Sequence, residues 1–326
     1  MQGKVTLKDS AAMEAYTGID VCKRWLDIAL HPHGHCERFE NTGKGINKLM
    51  RWLSSHGVAL IVMEATGKLH RKAHKALHDA GFAVAIVNPL RARLFAEAVG
   101  KLAKTDKIDA KCLALMAATV KPSAVAPRPE LMENLQELLR TRQALVDEQT
   151  AFLNRIAACT SAFVKRELTR QRTALAASIA RIGKEILRLV KSDASLERRY
   201  EILLSIPGVG PVAAAALAIG LSELGTCSDK QAAMLAGLAP VACESGESKG
   251  ARHIRGGRAG VRRSLYMAAV SAITHNKPLS AFYDRLTAAG KLPKVALTAV
   301  MRKLVVIANT LVTQDRFWQD EAPQHA

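Results

Sequence analysis

Aromatic residues are scarce in this chain, 4% of 326. Alanine and leucine fill the apolar share instead, which disfavours a β-sandwich and favours helices. Cysteines are few and scattered. The six (Cys22, Cys36, Cys112, Cys159, Cys227 and Cys243) show no C-x-x-C spacing, so neither a zinc site nor a secreted disulfide framework is legible, and a reduced, cytosolic compartment is expected. There is no unbroken apolar run of roughly 18 residues, and the opening MQGKVTLKDS lacks the apolar core of a signal peptide. Membrane insertion is therefore not expected. Acids are also short: 29 Asp and Glu stand against 47 Lys and Arg, a formal charge of +18. An excess of this size points to a polyanionic partner, nucleic acid first, because each neutralised phosphate releases counterions. The excess is not a tail. Residues 1–125 carry 19 basic against 11 acidic side chains, and the remainder carries 28 against 18.

Proline and glycine divide the chain. Up to residue 125, short apolar segments (YTGIDV, WLDIAL, CERFE, ALIVMEA, FAVAIVNP) alternate with helical patterns. Their order is strand-strand-strand-helix-strand-helix-strand-helix-helix. A meander followed by alternating units implies a mixed sheet covered by helices. Asn41 and Thr42 are cap candidates for the first helix, and Gly57 and Gly81 close the first two. KPSAVAPRP, 121–129, reads as a domain boundary. From Glu130 to Ile206 there is no proline and one glycine, Gly183. Apolar residues at spacings of three, four and seven predict long amphipathic helices, either an antiparallel coiled-coil pair or an ordinary helical domain. From 201 onward the pattern is helical again, broken at SIPGVGP and at CESGESKGARHIRGGRAGVRR.

Four acids stand out in the first part. Asp20 lies inside an apolar strand, and a charge there is either satisfied or functional. Glu64 ends the ALIVME strand, the end of a strand from which site residues often project. Asp106 and Asp109, three apart in KTDKIDAK, share a helix face, where they repel unless a cation intervenes. Hard oxygen donors suit Mg²⁺ or Mn²⁺ rather than zinc. Taken singly, each acid has a plain alternative, such as a helix N-cap for Asp106. The order of these acids resembles that of an RNase H-like fold of the RuvC type, which implies the tetrad Asp20, Glu64, Asp106 and Asp109.

In the second part, LLSIPGVGPVAAAALAIG reads as a helix-hairpin-helix. Gly208 and Gly210 would let a phosphate approach exposed N–H groups at a helix start; a plain turn is the alternative. Beyond it, Ser245 and Ser248 sit in a glycine-rich loop with Lys249, Arg252, Arg255, Arg258, Arg262 and Arg263. Guanidinium groups hold phosphate bidentately. By chemistry alone, serine in such a loop is better explained as a hydrogen-bond donor to nucleic acid than as a nucleophile. His31, His33 and His35 with Cys36 read as solvated turn residues, and His70, His74 and His78 as a solvated helix stripe.

The series GIDV…MEATG…NP…KTDKIDA, then a helical spacer, then SIPGVG…GLAP…ESG…RGG…RRSLYMAA resembles one family over roughly Tyr16 to Val312. That family is the insertion-sequence "one-ten" transposases, bridge-RNA-guided recombinases. The resemblance implies an α/β RuvC-like domain with a DEDD metal site over 14–125, a helical coiled-coil region over 126–200, and a mostly α transposase domain over 201–326. It implies Mg²⁺ held by Asp20, Glu64, Asp106 and Asp109, and a nucleophile, Ser245, in the Glu244-Ser245-Gly246 context. The implied partners are double-stranded donor and target DNA, a noncoding bridge RNA, and further copies of the chain (a dimer, or a tetramer when DNA ends are synapsed). The implied location is the bacterial cytoplasm, at the nucleoid. Two other readings stay open at the level of residues: a metal-dependent junction endonuclease using water, and a non-enzymatic nucleic-acid-binding protein.

Overall fold

The sheet expected from the first apolar segments is present in the computed structural model, which describes residues 14–101, 106–241, 244–245, 248–249 and 253–319. The side chains of Asp106, Lys107, Glu244, Ser245, Ser248 and Lys249 lie outside that description. The chain divides after Arg128 into two compact units.

In the first unit, β1 (Ala15–Val21), β2 (Trp25–His31), β3 (Cys36–Glu40), α1 (Gly43–Ser54), β4 (Val58–Glu64), α2 (Arg71–Asp79), β5 (Val84–Val87), α3 (Pro89–Ala98) and α4 (Asp106–Thr119) follow the order read from the sequence. The strands lie in the order β3-β2-β1-β4-β5. The first three form an antiparallel meander, while β1, β4 and β5 run parallel. Helices on both faces explain why VALIVME is apolar without alternation. On one face Ile19, Leu26, Ile28, Ile61 and Met63 meet Ile46, Leu49, Leu53 and Leu77 of α1 and α2. Each of these large side chains contributes about 1.5–3 kcal/mol by leaving water. On the other face Val62, Ala85 and Val87 meet Leu113, Met116 and Ala117 of α4. Thr42 caps α1 by accepting from the Gly45 amide at 3.2 Å.

In the second unit, α5 (Glu130–Ala158) and α6 (Ala162–Val190) are joined by a three-residue connection, Cys159 to Ser161. At 29 residues each, they span about 43 Å. Leu135 of α5 and Ile186 and Val190 of α6 are buried with the helices that follow. The long helices thus share one core with the C-terminal region, and both belong to the compact unit that begins at Pro129. That core is built by α7 (Ala194–Leu204), α8 (Pro211–Gly220), α9 (Asp229–Leu235), α10 (Ala259–His275), α11 (Lys277–Ala288) and α12 (Pro293–Thr313). By length and composition alone α12 could cross a membrane. Here it buries ten residues, from Ala296 to Leu311, against its neighbours.

The serine segment, which reads as a flexible loop, carries two short antiparallel ladders. β6 (Pro240–Val241) pairs with β9 (His253–Ile254), and β7 (Glu244–Ser245) pairs with β8 (Ser248–Lys249).

Candidate active site

One register and one close approach place the acids of the first unit. In the β1–β4 ladder, Ile19 is level with Met63, so Asp20 and Glu64 follow side by side at the carboxyl ends of their strands. Gly18 settles which face they take. A Cβ added there would lie 2.1 Å from the Ala110 carbonyl oxygen and 2.3 Å from the Ala114 amide nitrogen, so α4 rests directly on the strand backbone. Side chains alternate along a strand, so Asp20, two residues on, shares the α4 face. Val62 packs against α4, which puts Glu64 on the same face. Asp109 sits in the first turns of α4, and it lines a cavity of about 280 Å³ together with Glu64. Asp20, Glu64 and Asp109 are thus gathered from three separated segments at one end of the sheet. Asp106 begins α4, but its side chain is among those not described. Among the described residues no three His, Cys, Asp or Glu side chains form a ready cation cage. The acids on this face offer carboxylate oxygens, the right kind of donor for Mg²⁺ or Mn²⁺. Cys112, which lines the same cavity, has its thiol pushed up by burial and then by the Asp109 charge.

Three residues beside these acids were not singled out from the sequence. Asp27 pairs directly with Asp20 across β1 and β2. Like charges in that relation repel, and here the conflict is relieved by Arg38 on β3. Its Nε and Nη2 donate to the buried Asp27 carboxylate at 2.8 and 3.0 Å, and its guanidinium lies over the Trp25 ring. The signal was available, since Asp27 interrupts WLDIAL just as Asp20 interrupts YTGIDV. Arg93 of α3 lines the cavity with Glu64 and Asp109, and its Nε donates to Glu97 at 2.8 Å. Nothing in the local sequence marks it.

The basic segment of the second unit separates into residues with internal tasks and residues turned outward. Arg258 donates from Nη1 to the Gly220 carbonyl at 2.7 Å and from both Nη atoms to Glu223. It therefore holds α10 to the end of α8 rather than standing open to phosphate. This pairing keeps the Glu223 carboxyl below the usual carboxylate range, the Arg258 hydrogen bond outweighing burial. Arg262 Nη1 donates to the Gly256 carbonyl at 2.7 Å. Arg263 spans from α10 to Asp147 on α5 at 2.8–2.9 Å, with both side chains more than half exposed. Arg255 is exposed. Arg252 lies outside the described residues, and Lys249 is placed only by its backbone, opposite Glu244.

The GLAP and RGG stretches meet at the base of the serine ribbon. Gly237 and Gly257 have φ of +70° and +65°, and a Cβ added at Gly257 would lie 2.2 Å from the Gly237 amide nitrogen. Only glycine allows two backbones to cross this closely. The Arg258 amide also donates to the Leu235 carbonyl at 2.8 Å. Ser245 is level with Ser248 on the ribbon that this joint carries.

The hairpin between α7 and α8 also packs closely on one side. Gly208 has φ +98°, and a Cβ there would lie 2.5 Å from Ala272 of α10. Gly210 is exposed and caps α8 without a side chain, with Pro211 in the first turn. The helix start is therefore open to solvent. The histidine stripe divides. His74 is buried, its Nε2 2.8 Å from the Val125 carbonyl, so it anchors the interdomain segment instead of being solvated. His70 is held below its usual range, first by burial and then by His74 and Arg71. His78 is exposed. His33 and His35 lie in the turn after β2, with ring centroids 6.4 Å apart.

Residues 17–164 match a family described as "Transposase" of the DEDD IS110 type, and residues 200–284 match the "Transposase IS116/IS110/IS902 family". The chain is 30% identical over 318 residues to the pilin gene-inverting protein of Moraxella bovis, covering 93% of this chain and 97% of the relative. The corresponding protein of Moraxella lacunata matches to the same extent. A probable family 20 transposase of Pseudomonas aeruginosa is 25% identical over 242 residues, 63% of this chain and 68% of the relative. Two matched segments in order, one spanning the gathered acids and the other the serine ribbon, with a relative that aligns nearly end to end, place the chain in the IS110 family of transposases.

Proposed function

We propose that this transposase cuts and rejoins DNA through a covalent phosphoserine link formed by Ser245. The Ser245 Oγ attacks the phosphorus of a DNA phosphodiester. The Oγ–P bond forms as the bond from phosphorus to a sugar oxygen breaks. The serine proton passes to a carboxylate or to solvent, and the departing sugar oxygen takes up a proton. Attack by another strand's hydroxyl reverses these steps, releases the serine and reseals the backbone, so no outside energy is needed. Asp20, Glu64 and Asp109, with Asp106, would hold Mg²⁺ or Mn²⁺, which supplies positive charge against the phosphate and the departing oxygen. The first unit is then RNase H-like in kind, and the hairpin at Gly208 and Gly210 grips backbone without reading sequence. Serine and carboxylates are supplied by different copies of the chain in an oligomer. A noncoding RNA selects donor and target DNA by base pairing, while the basic surfaces of both units hold backbone and shape.

The observation that carries this reading is the gathering of Asp20, Glu64 and Asp109 on one face of the sheet. The test is a denaturing gel for a protein–DNA adduct, using the purified protein with DNA bearing the element's ends and RNA transcribed from beside its gene. Wild type and Ser248→Ala should form the adduct, and Ser245→Ala should not. Asp20→Asn should bind DNA and form none. An adduct retained by Ser245→Ala overturns the nucleophile, and cleavage without any adduct turns the reading to attack by water.

A further inference from the structure

The cavity beside Glu64 and Asp109 is unevenly charged. Its described lining holds those two acids, one cation, Arg93, and an apolar wall that includes Leu90, Phe95 and Met116. Leu90 is 62% exposed and Leu94, one turn along α3, is 54% exposed. The helix therefore presents apolar side chains beside an arginine next to the acids, where an ordinary surface helix would be polar. Glu64 is level with Val87, the last residue of β5, and α3 starts two residues later at Pro89. The first turn of α3 is thereby fixed at the mouth of the acidic pocket. Arg93 is tethered to Glu97, but both side chains are more than two-fifths exposed. An exposed i,i+4 pair is weak, so the guanidinium can exchange Glu97 for a stronger anion at little loss.

We propose that Arg93 is a substrate-contacting residue of the first unit. Its guanidinium holds a phosphate oxygen of the DNA strand that enters the acidic pocket, and Leu90 packs against the adjoining nucleoside. This rests on reading the acids as a cation-dependent phosphodiester site; it does not depend on the serine. A phosphate near Glu64 and Asp109 is repelled when no cation is present, so the Arg93 contact forms only when a divalent ion offsets the acids.

The test compares Arg93→Gln with Glu97→Gln, which break the same ion pair but differ in whether the guanidinium survives. The probe is a fluorescein-labelled oligothymidylate, titrated over a range of salt in Ca²⁺ and again in EDTA. Arg93→Gln should weaken binding about tenfold in Ca²⁺ and lower the salt slope by about 0.7, the value of one phosphate contact on a single strand. Arg93→Lys should fall between it and wild type. In EDTA the difference should vanish. Glu97→Gln should bind as tightly as wild type or more so. Equal loss in the two glutamine variants, or no loss in Arg93→Gln with Ca²⁺ present, overturns the proposal. Wild-type binding that ignores Ca²⁺ removes the carboxylate reading itself. Ca²⁺-dependent binding that ignores Arg93 removes only this inference.

Discussion

The two units hold their chemistry by different means. In the first, Asp20 and Glu64 extend from central strands flanked on both sides, so their placement is fixed by many backbone bonds and by a helix seated on Gly18. In the second, Ser245 lies on a two-residue ladder, and the neighbouring β6–β9 ladder follows a joint where Gly237 and Gly257 cross and Arg258 meets Glu223. On the function proposed above, acids that share an ion would gain from a rigid frame, and a serine that forms and releases a phosphodiester link would need only a firm base.

The contrast can be broken at Gly18 first. Gly18→Ala forces a Cβ into the α4 backbone, and we expect a loss of about 3 kcal/mol or more, read as an early transition in urea unfolding followed by circular dichroism. Gly257→Ala comes next. It combines a left-handed φ with a backbone clash, for an expected loss of about 2–3 kcal/mol, and adduct formation should fall further than DNA binding does. Glu223→Gln should cost about 1 kcal/mol, discounted because the pair is partly exposed. It also carries a pH signature. The Glu223 carboxyl is depressed in the folded state, so its contribution is complete above the ordinary glutamate value of about 4.3 and disappears as pH falls through the lower folded value. Melting temperatures of wild type and variant should therefore converge as the pH is lowered below that value. Arg263→Gln, which removes an exposed bridge to Asp147, should leave the urea midpoint indistinguishable from wild type, so a clear drop would mean that the α5–α10 contact is more than superficial.

Much of the first unit could be read before its structure was known, because local rules decide it. Alternation and breaks gave the strand and helix order, and Thr42 gave a helix start. The gathering of Asp20 and Glu64 needed only that two acids end neighbouring strands. What escaped depends on contacts between distant residues. His74 looks like one of three equal histidines until Val125, 51 residues away, appears at its ring nitrogen. Arg258 looks like one more phosphate ligand until Glu223 occupies it from 35 residues away. Arg93 reaches the cavity of Glu64 and Asp109 because α3 begins beside Glu64, and the helix's own pattern does not reveal that. The glycines of GLAP and RGG read as looseness, and their structural use is a close crossing that admits no side chain.

The seat of α4 on Gly18 has a further consequence. Because strand side chains alternate, the residue that lets the helix settle and the residue that offers its charge are locked two positions apart in one phase. A slip of β1 by a single residue would turn Asp20 into the apolar layer beneath α1 and α2 and lift Ile19 toward the acids. Packing and the grouping of the acids would then fail together, so a chain that loses that grouping this way should also lose the fold.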